Sequence, residues 1–430
     1  MKNKEDYKNK FNKLTDIETA LKIVEKNLIK TTSYEEVSLE LCEGRILAEN
    51  LTSRYDIPNY DNAAVDGFAF NFKNLKKNND ELIIANTSKP GKPFSGKIKE
   101  GQAMEIFTGS YIFKEKSNVD TVVMHEDCIV KKKKVKILNV PPQGSNIRSS
   151  GEDIKKGTIL FRKGTKIRSI DLGAIASIGL SKIKVYKKIK VGIFSTGNEL
   201  SKDKNTKEKF KIFDSNKITL ISLFKKLNCI TFDFGILRDN YEVSKKKLLG
   251  SASKVDIIIT TGGVADSQSD FIVKVLNDIG ELKLWRISVK PGRPFVFGKI
   301  NKKPIFGLPG NPVAVVVTFF MIILKFLNRM NGRDSYFLKY RLVPSGFSFK
   351  KKLGRTEWLR GSVMFQNNKL VLKKFKSEGS GILSSIIRSE GIIEIEKDKH
   401  YIEKGEKIKF YNFEELLNWK FCILQTLNKK

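Results

Sequence analysis

Between Lys188 and Met330 the sequence repeats one pattern that few architectures accommodate. Apolar runs of strand length, Val191-Gly192-Ile193-Phe194, Ile230 to Ile236, Val255 to Thr260 and Pro304-Ile305-Phe306, each lead into a polar or Gly-rich turn and mostly into a helical segment. Alternation of this kind predicts a parallel sheet with crossover helices. Ligands of such sheets bind beyond the carboxyl ends of the strands, so the turns are where chemistry is expected. The longest apolar run, Pro312 to Leu324, stops at Lys325. It is read as too short for a bilayer and as a buried helix instead.

The flanking segments have a different rhythm. At roughly 150 residues per domain, the 430 residues predict about three domains. Thr15 and Asp16 precede Ile17, Ala20, Leu21, Val24, Leu28 and Ile29, an amphipathic helix behind an N-cap. From about Leu51 to Val140 short apolar runs are broken by Gly, Pro and Asn, with Lys131 to Lys134 between Asp120–Met124 and Val135–Val140. That predicts a mostly β module with a basic hairpin tip. Asp171 to Gly179 reads as another helix. After Asp334 short β runs return (Tyr340 to Val343, Leu370 to Leu372, Gly391 to Ile395), which predicts a small C-terminal β domain.

Charge raises a competing reading. Lys and Arg number 80 against 47 Asp and Glu, a net +33, so a nucleic-acid partner has to be weighed. Such a partner would call for a basic stripe interleaved with aromatics. The 66 lysines are instead scattered and often adjoin acidic residues, as in Lys204-Asn205-Thr206-Lys207-Glu208-Lys209. The excess is read as solvated surface, with no nucleic-acid and no membrane partner. Two histidines, His125 and His400, exclude a three-imidazole site and disfavour a Ser-His-Asp hydrolase. Cys42, Cys128, Cys229 and Cys422 form no CxxC pair, which suits free thiols in a reducing compartment. The polar start Met1 to Asp6 shows no secretory pattern, and a cytoplasmic location is expected.

Four turns of the α/β segment carry candidate chemistry. Ser195-Thr196-Gly197-Asn198-Glu199-Leu200 leaves backbone N–H groups free for an anion at a helix N-terminus, or is a plain capped turn. Thr260-Thr261-Gly262-Gly263-Val264 permits close approach of backbone to phosphate, and the following Asp270 is a possible metal ligand. Arg286-Ile287-Ser288-Val289-Lys290-Pro291-Gly292-Arg293-Pro294 gathers three cations about a rigid turn, an oxyanion clamp or a solvated loop. Gly307-Leu308-Pro309-Gly310-Asn311-Pro312 precedes the long apolar helix, and a purely structural role is equally open. Upstream, Asp61 and Asp66 lie among small residues, followed by Phe107-Thr108-Gly109-Ser110 and the Asp153 loop. Acidic groups beside an anion clamp make sense if a divalent metal bridges them to phosphate.

Read in order, these motifs resemble the MoeA family, the molybdopterin molybdenumtransferases, also represented by one domain of gephyrin. The matching elements are PNYDNAAVDGFAF, FTGS with NVDTVVMHED, NIRSSGEDIKKG, VGIFSTGNEL, IFDSN, GILRDN, DIIITTGGV, VKPGRPFVFG, FGLPGNPVAVVVTF and GRTEWLRG, with SGILSSIIRSEG extending the likeness to Gly391. Three features depart from the family pattern. The usual GGVSVG or GGVSMG reads Gly262-Gly263-Val264-Ala265-Asp266-Ser267. Arg286 and Arg293 stand where Lys is common. The end beyond Phe410, with Trp419 and Cys422, matches nothing.

The resemblance implies a multidomain α/β fold: a linking α+β domain (14–52 and 147–187), a β-rich domain (53–146), a central parallel-sheet α/β domain (188–335), a C-terminal small β-barrel domain (336–412) and a peripheral tail (413–430). It implies a homodimer with the active site between the α/β domain of one subunit and the β-rich domain of the other. The implied reaction converts adenylated molybdopterin and molybdate to molybdenum cofactor and AMP with Mg2+. An adenylating enzyme and molybdoenzyme acceptors would be its partners. On this reading Ser195, Thr196, Gly197, Thr261, Gly262 and Gly263 cradle the adenylate. Glu199, Asp239 and Asp270 hold Mg2+ or the attacking water, with Asp66 and Asp153 approaching from other domains. Arg286, Lys290 and Arg293 neutralise molybdate or phosphate charge, Pro309 and Pro312 shape the oxyanion pocket, and Thr108 donates a hydrogen bond. The alternative is a catalytically altered member acting as a molybdopterin-binding scaffold.

Overall fold

The computed structural model describes residues 11, 13–28, 30, 33–75, 78–201, 209–265, 271–333, 337–366 and 368–418. The chain forms two compact units, one of residues 49–162 and 169–183 and the other of the remainder.

The larger unit is organised by a six-stranded sheet. Its strands run in the order Ile230–Leu237, Lys190–Thr196, Ile257–Thr261, Lys303–Leu308, Val296–Ile300, Glu281–Trp285. The first four are parallel, and the last two are added by antiparallel pairing. Alternation along the strands feeds two cores. Val191, Ile193, Ile257 and Ile259 face one, with Phe224 and Val24 from flanking helices. Phe194, Ile258 and Ile305 face the other, against Leu248, Ile272 and Leu276. The N-terminal helix, Ile17–Asn27, is capped as expected, its Asp16 carboxylate accepting from the Glu18 and Thr19 amides. It ends before Leu28, and Ile29 lies outside the described residues.

The long apolar run behaves differently from its reading as a short segment. Helical structure continues past Lys325 to Met330, 19 residues in all, interrupted by a π turn at Phe319–Ile323. Length and composition would allow it to span a bilayer, but 89% of its apolar window is buried inside the fold. Burial, not length, identifies it as a core helix. Desolvation pushes the Lys325 ammonium below its ordinary pKa, opposed by the charge of Glu394.

The C-terminal part of this unit is a second six-stranded sheet, with Thr356–Gln366, Gly391–Ile395, Lys407–Asn412 and Arg341–Pro344 as successive neighbours and Lys369–Lys374 beside Thr356–Gln366. Its sixth member is the short strand Val289–Lys290, which pairs parallel with Thr356 and Glu357. A short helix, Phe413–Asn418, follows the strand Lys407–Asn412, and Trp419 and Cys422 lie outside the described residues.

The smaller unit contains a six-stranded sheet in the order Thr121–Met124, Gly67–Phe70, Gln102–Ile106, Glu81–Ser88, Lys134–Ile137, Cys128–Lys131. The basic hairpin exists, but its partner strand is Cys128–Lys131 rather than Asp120–Met124. Lys131 pairs with Lys134, leaving Lys132 and Lys133 as the tip. Lys132 sits at φ +55°, where a two-residue turn demands positive φ. The helix expected from Asp171 runs from Ser169 to Ser177. Cys42, Cys128 and Cys229 are free thiols, and burial pushes Cys128 up to about 11 and Cys229 to about 12.

Candidate active site

Three parallel strands end side by side, at Thr196, Thr261 and Leu308, and the turns that follow enclose a cavity of about 270 Å3. Its lining includes Thr196, Gly197, Glu199, Asp239, Gly262, Gly263 and Gly310. Gly262 and Gly263 take φ +81° and +67°, a left-handed conformation that glycine adopts without penalty. A Cβ on Gly262 would lie 2.6 Å from Thr196 Oγ1. That hydroxyl is committed to the Thr261 carbonyl at 3.0 Å, so Thr261 contributes backbone beneath the cavity.

The opposite wall is acidic. The Glu199 carboxylate folds back over Gly197, where a Cβ would come within 2.1 Å of Oε2. Glu199 and Asp239 are both exposed and line the same space. Arg238, to which the sequence reading gave no role, ties the two turns together. Its Nη1 donates to the carbonyls of Asn198 at 3.1 Å and Leu200 at 3.2 Å. The Asp239 amide adds a long hydrogen bond to Asn198 Oδ1 at 3.4 Å. An arginine directly before the candidate Asp in GILRDN was the available signal.

Ser195 is fully buried, and its hydroxyl donates to Asp214, which caps the helix Ser215–Lys226. It orders the scaffold and does not line the cavity. Gly197 to Leu200 forms a turn, not the first turn of a helix. Asp266 and Asp270 lie outside the described residues. Among the described residues no group of three Asp, Glu, His or Cys side chains is placed to hold a metal ion.

A second cavity, of about 520 Å3, shares Pro294 with the first. Lys290, Arg293 and Arg355 supply its cations, and Pro309, Asn311, Glu378 and Ser380 complete much of the wall. Lys290 Nζ lies 2.6 Å from Glu378 Oε2 and 3.6 Å from Glu357 Oε2. Glu357 is 1% exposed and receives Arg355 Nε at 2.8 Å. Burial opposes ionisation of Glu378, yet the Lys290 hydrogen bond and the charges of Lys290, Lys374 and Arg360 leave it below its ordinary pKa. The fully buried Arg360 donates to the carbonyls of Ser377 at 2.9 Å and Gly379 at 3.3 Å, holding this loop in place. Arg355, Glu357 and Arg360 belong to GRTEWLRG, which the sequence reading matched without assigning side-chain roles.

Arg286 does not join Lys290 and Arg293. It takes φ +64° and stacks its guanidinium 4.3 Å from the Trp285 ring centroid. The Trp285 indole donates to the Val264 carbonyl at 3.0 Å, which makes this stack a support for the glycine turn. Its backbone also closes the base of the clamp loop, Arg286 N bonding Phe295 O at 2.9 Å. Pro312 opens the core helix and lines neither cavity.

In the smaller unit, Asp66 Oδ1 accepts from both the amide and the hydroxyl of Thr108 at 2.6 Å. The Thr108 hydroxyl bond, then its amide bond, hold the exposed Asp66 carboxyl below its usual pKa. Thr108 therefore donates, but within its own unit. Asp61 pairs with Lys114 at 2.6 Å and receives the Ser150 amide at 2.7 Å. Asp153 is exposed.

Not all lysines are scattered. Lys187, Lys188, Lys190, Lys302 and Lys303 line a cavity of about 300 Å3 at the amino ends of the strands, where Asp256 pairs with Lys303 at 3.6 Å. This is the end of a parallel sheet opposite to that where ligands usually bind.

Known proteins are similar to this chain over most of its length. The MoeA N-terminal region (domain I and II) matches residues 15–179, a probable molybdopterin binding domain matches 192–329, and the MoeA C-terminal region (domain IV) matches 343–413. A molybdopterin molybdenumtransferase of Haemophilus influenzae is 31% identical over 394 residues, covering 90% of this chain and 95% of the relative. Gephyrin of Dictyostelium discoideum is 28% identical over 446 residues, covering 92% of this chain and 62% of gephyrin. The crystal structure of the molybdopterin biosynthesis MoeA protein of Pyrococcus horikoshii superposes with a TM-score of 0.80 at 29% identity, covering 93% of this chain and 100% of that one. With sequence, architecture and all three regions in agreement, the chain belongs to the MoeA family of molybdopterin molybdenumtransferases.

Proposed function

We propose that this transferase of molybdenum cofactor biosynthesis inserts molybdate into adenylated molybdopterin, releasing AMP and molybdenum cofactor. The observation that carries the reading is the wall that Pro294 shares between a glycine-lined, carboxylate-bearing cavity and a cationic one. The reaction needs both, because it joins cleavage of a phosphoanhydride to delivery of an oxyanion. In the first cavity the open backbone of Gly262 and Gly263 admits phosphate without side-chain obstruction. In the second, Lys290, Arg293 and Arg355 supply positive charge for a tetrahedral dianion, and Ser380 and Asn311 supply polar groups.

The residues fit Mg2+. Glu199 and Asp239 present oxygen donors to one cavity, and Mg2+ commonly takes one or two carboxylates with substrate phosphate and water. When bound, the ion would neutralise phosphate charge at the scissile bond. Glu199 and Asp239 would hold it and orient water, Arg238 would fix their two turns, and Asp270 is retained as a third candidate. Asp66, Thr108 and Asp153 of a partner subunit in a homodimer would complete the adenylate side. The adenylating enzyme would supply the substrate, and molybdoenzymes would accept the product.

The deciding experiment incubates the purified chain with adenylated molybdopterin, molybdate and Mg2+ and measures AMP. Molybdate-dependent AMP release is expected; its absence with authentic substrate would overturn the reading.

A further inference from the structure

We propose that Glu378 is a built-in occupant of the oxyanion seat. Its carboxylate holds Lys290 in the ligand-free protein, gives way to a tetrahedral dianion, and keeps weakly bound monoanions such as chloride out of the cavity. This rests on the reading of the Lys290 cavity as the molybdate site.

The charges in and behind the cavity pose the question. Lys290, Arg293 and Arg355 are opposed by Glu378 in the lining and Glu357 behind it. Two carboxylates around one anion seat would weaken it unless one of them leaves. Glu378 is the one free to do so. It is 34% exposed where Glu357 is 1%, and Lys374 stands 3.9 Å from its other oxygen as an alternative partner. Its backbone stays where Arg360 holds the carbonyls of Ser377 and Gly379, and where Asn311 Nδ2 donates to Ser380 Oγ at 2.8 Å. Departure therefore requires only a side-chain rotation.

Lys290 also has a second place to go. Glu357 Oε2 is buried with no hydrogen-bond partner, and the ammonium lies 3.6 Å from it. A buried carboxylate oxygen without a donor is unfavourable, so a small shift of Nζ gains a hydrogen bond as Glu378 is lost. Parallel pairing of Lys290 with Glu357 sets their spacing through the backbone. Lys290 is thus held by Glu378 before binding and anchored by Glu357 after it, with donors left for the oxyanion.

A tethered competitor weakens every anion by a similar factor. A dianion feels twice the Coulomb attraction of a monoanion toward the same cations, so it remains bound where chloride falls out of range. Calorimetric titration of the full chain with molybdate, with and without chloride, tests this directly. Glu378→Gln is expected to tighten molybdate by about fivefold, the scale of a half-exposed ion pair, and to make that binding chloride-sensitive. Glu357→Gln is expected to weaken it. Unchanged or weaker molybdate binding in Glu378→Gln, with Lys290→Ala still abolishing it, would overturn the competitor role while leaving the site reading intact. Molybdate binding that is absent, or indifferent to Lys290→Ala, would overturn both. Glu378→Ser, checked for a native melting transition, repeats the test should the glutamine variant fail to fold. A residue that only ordered the loop would not alter chloride sensitivity.

Discussion

Gly262 is held against Thr196: a Cβ at Gly262 would stand 2.6 Å from the Thr196 hydroxyl, whose own hydrogen bond to Thr261 pins it there. The backbone at φ +81° adds a second obstacle to any side chain. Gly262→Ala should destabilise by about 1–3 kcal/mol through strain and collision together, and lower AMP release further by filling the phosphate approach. Removing the hydroxyl as well, in Thr196→Ala with Gly262→Ala, should recover part of the loss. Thermal melts of the double-mutant cycle would read that coupling directly, and strict additivity would show that the collision does not matter.

Arg238 carries a different expectation, because its work is local. It bridges the carbonyls of Asn198 and Leu200 next to Asp239. Arg238→Ala should release the turn that presents Glu199 and lower kcat/KM for AMP release by roughly 100-fold, the scale of a misplaced catalytic group. The melting temperature should fall only a few degrees. Higher Mg2+ should restore part of the activity, since the two carboxylates remain but are no longer held together. A variant with ordinary kinetics would remove Arg238 from the site.

These two residues show what was legible in the sequence. Strand alternation marked the central sheet, and Gly262-Gly263 after a strand marked a backbone-lined turn, because both signals are local. The carboxylate partners of Lys290 were hidden, since Glu357 reaches it through strand pairing 67 positions away and Glu378 through a contact 88 positions away. No local pattern carries such a register. Ser195 reads as a ligand residue because a hydroxyl at a strand end has the same composition whether it faces a cavity or, as here, the Asp214 cap of a helix. The hairpin partner differs from the expected Asp120–Met124 because that strand ends at a 3₁₀ turn, His125–Asp127, and a separate short strand, Cys128–Lys131, lies between it and the lysine run.

Asp66 offers a pH test in the smaller unit. Thr108 stabilises its ionised form, so the folded-state pKa lies below the unfolded value. That stabilisation is present above the unfolded pKa and is lost as pH falls through the folded one. Thr108→Val removes the hydroxyl donor while keeping the amide. The Asp66 carboxyl should then titrate at higher pH by carbon-detected NMR, with the remaining amide bond still holding part of the shift. An unmoved titration would mean that the hydroxyl does not face Asp66 in solution.

The last prediction separates Arg286 from the clamp its spacing suggested. Three cations within eight positions read as one anion site, yet the left-handed backbone at Arg286 directs its guanidinium onto Trp285. A cation–π stack of this kind stabilises by about 0.5–2 kcal/mol, and here it braces the indole that bonds Val264. Arg286→Gly relieves the positive-φ strain while deleting the stack, so the two effects on stability should partly cancel. Molybdate affinity should stay within about twofold of the parent, because Arg286 is not among the residues lining the Lys290 cavity. Arg293→Ala, which removes a cation from the cavity lining, should weaken molybdate by roughly tenfold, the scale of a charge-assisted hydrogen bond. Equal losses in the two variants would show that Arg286 turns inward when the oxyanion arrives.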